Sequence, residues 1–316
     1  MLTRVKDKDK GGVRRLRIVE RKQIGKLGHN VVSQLRLKQY ARGVLLFEAW
    51  LASCGATLAT KTVELDFQLA EYVEVLWQEG EGKAVGDNLM AAIHHFLPFV
   101  KGSVPSAWRL LGAWQRLELP SRAPPLSSLM VRGMAGLCTI LGLPDVSVIL
   151  LLAFHCMLRT GEVLSLVAQA FTFDSRSGFA VVDLGWSKTG KRQASGEIVT
   201  IDDPSLCAML KRFLVGSRPG DLLLKRSQAQ FRVIFAEVVE YFGLTPFGFK
   251  PYSLRRGGAT YEFQCSANLD KCCLRGRWSS AKTARLYIMD GLSVMRDFNL
   301  SASQNEALTI AAKIAR

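Results

Sequence analysis

The chain has 316 residues, 48% of them hydrophobic, and a formal net charge of +15. That length accommodates two domains of ordinary size, and the charge points to a polyanionic partner without separating DNA from RNA or an acidic membrane surface. No apolar run approaches the ~20 residues a membrane span needs, the N-terminal stretch lacks the apolar segment of a secretory signal, and the seven scattered cysteines read as reduced thiols of an intracellular protein.

Residues 1–43 hold 13 Lys/Arg against 3 Asp/Glu, +10 of the +15. The run Lys6-Asp7-Lys8-Asp9-Lys10-Gly11-Gly12 can bury nothing, so residues 1–29 are expected to form a basic arm without fixed structure that still contacts phosphates. Residues 30–117 carry helical periodicity, clearest over 44–51, 65–77 and 88–100, with turns at 80–83 and 101–105. The Pro-rich stretch around Pro120, Pro124 and Pro125 makes 118–126 a linker. Residues 146–154 form the longest apolar run, which predicts a buried helix leading into a helix-like run from Phe154 to Leu166. Three β-favouring segments follow at 171–174, 179–184 and 197–201, with a turn at 175–178 and a second loop at 187–192. Residues 127–300 therefore read as a second, α+β domain. Residues 301–316 read as an amphipathic tail helix with Leu308, Ile310, Ala311 and Ile314 as its apolar members. The whole is mainly α with a small antiparallel sheet.

The chemistry concentrates in spaced boxes of the second domain. Arg159 opens Arg159-Thr160-Gly161-Glu162-Val163, and Arg255 sits in Tyr252-Ser253-Leu254-Arg255-Arg256-Gly257-Gly258-Ala259-Thr260. Trp278 follows Arg255 by 23 residues and Tyr287 follows Trp278 by 9. Two guanidinium groups suit the non-bridging oxygens of a phosphate, because they bind bidentately and stay charged. The indole N–H of Trp278 supplies a further donor, and Tyr287 supplies a nucleophilic oxygen. That combination points to strand transfer on DNA. Glu162 has a supporting role, within reach of a neighbouring cation. Ser253, after Pro251, is expected to cap a helix. Gly257 and Gly258 either allow close backbone approach or are tolerated weak spots of that helix. Lys271, Arg275, Arg277, Lys282 and Arg285 form a basic segment suited to phosphates. Among the four histidines and the cysteines no cluster has metal-ligand spacing.

At these residues the chain resembles the tyrosine recombinase, or phage-integrase-like, family. The first box of that family, Arg-x-x-Glu-apolar-x-x-Leu, is matched by Arg159, Glu162, Val163 and Leu166. The second, His-x-Leu-Arg with a following Ala-Thr, is matched by Leu254, Arg255, Ala259 and Thr260. The third, Gly-His and a Tyr about nine residues on, is matched by Trp278, Trp being a known variant of that His, and Tyr287. The likeness covers roughly residues 125–290. It implies a helical DNA-clamping domain, a linker and an α-rich catalytic domain, acting on double-stranded DNA without a cofactor. Arg159 and Arg255 would clamp the phosphate, Tyr287 would form a 3′-phosphotyrosine, and a lysine in the second hairpin loop would be the general acid, Lys188 before Lys191. Tails of this kind commonly dock on a neighbouring protomer, which makes a synaptic tetramer an expectation, as is packing of the tail on its own domain. A nuclear location follows if the chain is eukaryotic. Two departures stand out: Tyr252 occupies the usual His position, and Thr160-Gly161 follow the first arginine instead of preceding it. The Tyr252 substitution favours, as alternatives, a DNA-binding relative of a mobile-element recombinase that does not cut. A type IB topoisomerase-like enzyme would share the chemistry. An acidic-protein interaction module explains the charge but not the boxes.

Overall fold

The computed structural model describes residues 15, 17–23, 25–118, 122–174, 178–185 and 196–315. The chain divides into two units, Met1–Ser121 and Arg122–Arg316. In the first, α1 (Gln34–Ser53) lies on α3 (Lys83–Phe96), and α2 (Thr62–Gln78) lies on α4 (Pro105–Leu117). Their apolar stripes meet in a core that includes Phe47, Leu69, Met90, Leu111 and Trp114. One polar group is buried with purpose. The Asp66 carboxylate, on α2, accepts the backbone N–H groups of Ser106 and Ala107 at 3.0 and 3.1 Å. It thereby caps α4, whose first position is the proline that needs no such partner.

The second unit is built around α5 (Ser128–Ile140) and α6 (Pro144–His155). Every residue of 146–154 is buried, as expected for a helix that lacks a polar face. A short α7 (Thr160–Val163) leads to the sheet, β1 (Phe171–Phe173), β2 (Ala180–Asp183) and β3 (Ile198–Ile201). The three strands are antiparallel in the order β1-β2-β3, with Thr172, Val181 and Thr200 aligned across the ladder. Then come α8 (Pro204–Leu214), α9 (Gln228–Tyr241), α10 (Tyr252–Ser266), α11 (Leu269–Gly276), α12 (Ala281–Arg285), α13 (Asp290–Phe298) and α14 (Ala302–Ala312). Among the described residues no helix is long and apolar enough to cross a membrane.

Two close approaches fix this unit. α10 rests on α6 at Gly258, where a Cβ would lie 2.0 Å from the Phe154 carbonyl oxygen, and on the segment before α5 at Gly257, where one would lie 2.2 Å from that of Leu126. Of the two sequence readings for these glycines, close backbone approach is the one observed. The tail helix α14 rests on α5 in the same way, since a Cβ on Gly136 would lie 1.9 Å from the Ala311 carbonyl oxygen. Leu308 and Ala311 are buried there, whereas Ile310 and Ile314 face outward at 56% and 46% exposure. The tail thus packs on its own unit. Ser301 and Gln304 close its capping box, and the Gln304 amide also donates to the carbonyls of Phe242 and Gly243.

Ser253 departs from the reading as a cap. It lies inside α10, fully buried, where its Oγ accepts the Lys250 N–H at 3.0 Å. The lead-in to the helix is therefore tied down by the serine from within.

Gly136→Ala is expected to destabilise the protein by about 1–3 kcal/mol, because backbone, not a flexible side-chain end, meets the new methyl. Gly291→Ala, in α13 with nothing within 4 Å of its Cβ, should instead stabilise by up to about 1 kcal/mol. Denaturant midpoints of the two variants check both signs.

Candidate functional site

The site begins where α6 stops. The helix-like run expected from Phe154 to Leu166 is broken: α6 ends at His155, and Met157 takes a left-handed φ of 47°. Its carbonyl is thereby released from the helical ladder and accepts Arg255 Nη1, with Arg277 Nη2 at 3.4 Å. Arg255 Nη2 donates to the Gly276 carbonyl at 2.7 Å. Arg159 comes next, as the residue before α7, with its backbone N–H on Glu162 Oε2 at 2.8 Å and its guanidinium on Glu162 Oε1. Glu162 also binds Arg277 Nη2 at 2.7 Å. Glu162, expected within reach of a neighbouring cation, is thus a part-buried carboxylate shared by two arginines, and it caps α7 besides.

The aromatic half is delivered by α10, α11 and α12. Arg277 ends α11 with a left-handed φ of 57°, which turns Trp278 inward. Gly276 leaves room for the indole, since a Cβ there would lie 2.0 Å from the ring. The Tyr287 ring is 4.6 Å from that of Trp278 and 5.8 Å from that of Tyr252. The Arg255 guanidinium sits 4.9 Å from the Trp278 ring centre and 5.3 Å from that of Tyr287. Trp278 Nε1 is buried, and its interaction with the Tyr287 hydroxyl favours the phenolate. Arg159, Arg255, Trp278, Tyr252 and Tyr287, five residues singled out in the sequence, are therefore brought together. Lys188 and Lys191 lie outside the described residues.

The electrostatics follow from burial and crowding. Arg255 is 1% exposed, and burial, followed by the repulsion of Arg277 and Arg159, pushes its pKa down to about 10. It stays protonated at neutral pH, in a setting that rewards an added anion. Burial opposes ionisation of Tyr287, but hydrogen bonding with Tyr252 and the charge of Arg255 outweigh it and lower its pKa below the ordinary phenol value. Tyr252 moves the other way, up to about 12, through burial and then its bond to Tyr287. Burial likewise opposes the charge on Glu162, yet Arg277 and then Arg159 hold it below the usual carboxylate range.

The basic segment expected to meet phosphates is largely committed elsewhere. Lys271 pairs with Glu262 at 2.8 Å, and Arg275 pairs with Glu262 at 3.2 Å as well as with Asp202. Arg277 is held between Glu162 and Glu197, the latter at 3.3 Å. Only Lys282 and Arg285 of that set are exposed and without a carboxylate partner among the described residues. Arg277 is the functional neighbour that sequence reasoning misplaced. The signal was a large side chain at the residue after Gly276, where the chain must turn.

No protein-family model matches the chain, and no curated protein matches it. Solved structures do. The XerH site-specific recombinase bound to palindromic difH substrate, in a post-cleavage complex, aligns with a TM-score of 0.58 at 16% identity, over 79% of this chain and 75% of that one. A Tn1549 transposon integrase fragment in complex with transposon right end DNA aligns with a TM-score of 0.59 at 12% identity, over 88% of this chain and 97% of that one. The chain has the tyrosine-recombinase fold. The XerH pre-cleavage complex agrees, with a TM-score of 0.57 at 16% identity over 83% and 79% of the two chains. At these identities the fold is what is shared, and within the tyrosine-recombinase fold the roles of individual side chains rest on their own geometry.

On raising the pH, Tyr287 should ionise first and Tyr252 only near about 12. Tyr252→Phe removes a hydrogen bond that favours the Tyr287 phenolate, so the Tyr287 pKa should rise. Ring-labelled tyrosine NMR reads both. Ionisation of Tyr252 ahead of Tyr287 contradicts the arrangement.

Proposed function

We propose that the protein cleaves and rejoins double-stranded DNA through a covalent 3′-phosphotyrosine at Tyr287. The observation that carries this reading is Arg255, a buried guanidinium fixed by the Met157 and Gly276 carbonyls and set over the Tyr287 ring beside the Trp278 indole. Attack on a phosphodiester builds charge on the non-bridging oxygens, and donors fixed in a dry site stabilise that charge more than they stabilise the ground state. Arg159 and Arg255 would take those oxygens, with Trp278 Nε1 as a further donor. The Tyr287 oxygen forms the bond to phosphorus, the bond from phosphorus to O5′ breaks, and the phenolic proton leaves to solvent. Lys188, or Lys191 after it, gives its proton to O5′. The phosphotyrosine conserves the bond energy, so a 5′-hydroxyl reverses the step. Tyr252 is no base at neutral pH, and its service is the hydrogen bond that helps ionise Tyr287. Its high pKa also favours the second reading, a relative that binds DNA and does not cut. The DNA-bound recombinase and integrase of like fold support DNA as the partner, as does the basic N-terminal stretch.

A nicked duplex whose released strand diffuses away should trap Tyr287 as a 3′-phosphate adduct, seen by peptide mapping. Tyr287→Phe should fold and bind yet form none, Arg255→Ala should lose the adduct, and Tyr252→His should keep or raise the rate. An adduct that survives Tyr287→Phe and vanishes with Tyr252→Phe reassigns the nucleophile. If none of these proteins forms an adduct, the non-cutting binder is the better reading.

DNA affinity should fall steeply with salt through counterion release. Deleting residues 1–29 should weaken binding and shallow the slope of log K against log salt. Binding that ignores salt would remove the basic arm from the account.

A further inference from the structure

Arg256, the neighbour of Arg255, is buried to 3% exposure. No carboxylate pairs with it among the described residues, and burying a guanidinium without a counter-charge is costly. Its partners explain why it is kept. Nη2 donates to the Leu286 carbonyl at 2.7 Å and meets Met289 Sδ at 2.8 Å. One helical turn along α10, the fully buried Thr260 continues the grip. Its Oγ1 accepts the Met289 N–H at 3.1 Å and sits 3.5 Å from the Tyr287 carbonyl oxygen, while its own proton is directed to the Arg256 carbonyl at 2.9 Å. The stretch so held connects the end of α12 at Arg285 to the start of α13 at Asp290, and Tyr287 is in its middle. Arg255, on the same helix, reaches Met157 and Gly276 instead. Neighbouring residues of one rigid helix thus take opposite duties.

We infer that Arg256 and Thr260 are positioning residues for Tyr287: they fasten the backbone of residues 286–289 to the helix that carries the phosphate-binding arginine. Nucleophile and clamp are then registered by one element, and their separation does not depend on loop conformation. This role rests on the strand-cleavage reading above for its effect on rate; the contacts themselves do not. The charge of Arg256 serves geometry here. A neutral donor in its place keeps less of the double contact to Leu286 and Met289, and a valine at 260 keeps the shape while losing the hydroxyl.

The test uses the full chain with nicked duplex at saturating concentration. Arg256→Gln and Thr260→Val should slow adduct formation by roughly 10- to 100-fold, the cost of a small misplacement of reacting groups, with DNA Kd within about twofold of the parent. Thr260→Ser, which restores the hydroxyl, should recover most of the rate. Rates unchanged in Thr260→Val, or a rate and a Kd that weaken together, would overturn the assignment. If Arg256→Gln does not fold, the Val and Ser pair at 260 decides. If the unaltered protein forms no adduct, the cleavage reading falls and amide exchange decides instead. Exchange at Ile288 and Met289 should then be faster in Thr260→Val than in Thr260→Ser, and equal exchange would overturn the anchoring role.

Discussion

One carbonyl organises the second unit. Met157 O accepts Arg255 and Arg277 together, and it is available only because α6 ends two residues earlier. Had the helix run on, that oxygen would be directed along the helix toward the N–H four residues ahead. The left-handed backbone at Met157 costs a non-glycine residue roughly 1–2 kcal/mol, and Arg277 holds the same kind of conformation at φ 57°. The two unfavourable turns meet through a guanidinium and a carbonyl. Local conformational energy is traded there for a fixed arrangement of charge, which is where such strain is usually found.

From that point the remaining groups follow in order. Arg159 begins the next turn, and Glu162 returns to its backbone and guanidinium while holding Arg277. The carboxylate balances the two outer arginines, while the innermost one is held by the Met157 and Gly276 carbonyls over the Trp278 and Tyr287 rings. Rigidity comes from the helices behind. Without a side chain at 258, α10 lies directly on the backbone of Phe154, so the base of Arg255 is set against the end of α6.

Much of this was readable in the sequence, for definite reasons. The buried α6 declared itself by an apolar run with no polar face, and the three strands by β-branched clusters between turns. The arginine, Trp and Tyr positions were visible because their order and spacing repeat a family pattern. What escaped was whatever depends on residues far apart. Nothing in Cys156-Met157-Leu158 resembles a helix stop, and the guanidinium that takes the Met157 carbonyl lies 98 residues on. Arg275 and Arg277 looked like phosphate ligands because Asp202, Glu162 and Glu197, distant in sequence, could not be seen to neutralise them. Ser253 followed a proline and so read as a cap, yet the helix begins at the preceding Tyr252. The tail helix was foreseen, while its docking face was set by Gly136, whose missing side chain has no periodic signature.

The seat of α14 on α5 also bears on when the unit becomes whole. Leu308 and Ala311 fill a surface made by Gly133 and Gly136, so the first helix of the unit is completed by the last. Contacts that span so much chain raise contact order and slow folding. During synthesis α5 emerges long before α14, and the flank that α14 covers stays open until α14 has been translated. An immature chain would thus carry its arginines and tyrosine without the packing that holds them steady. Synthesis of α14 would set the moment at which the unit gains a settled interior.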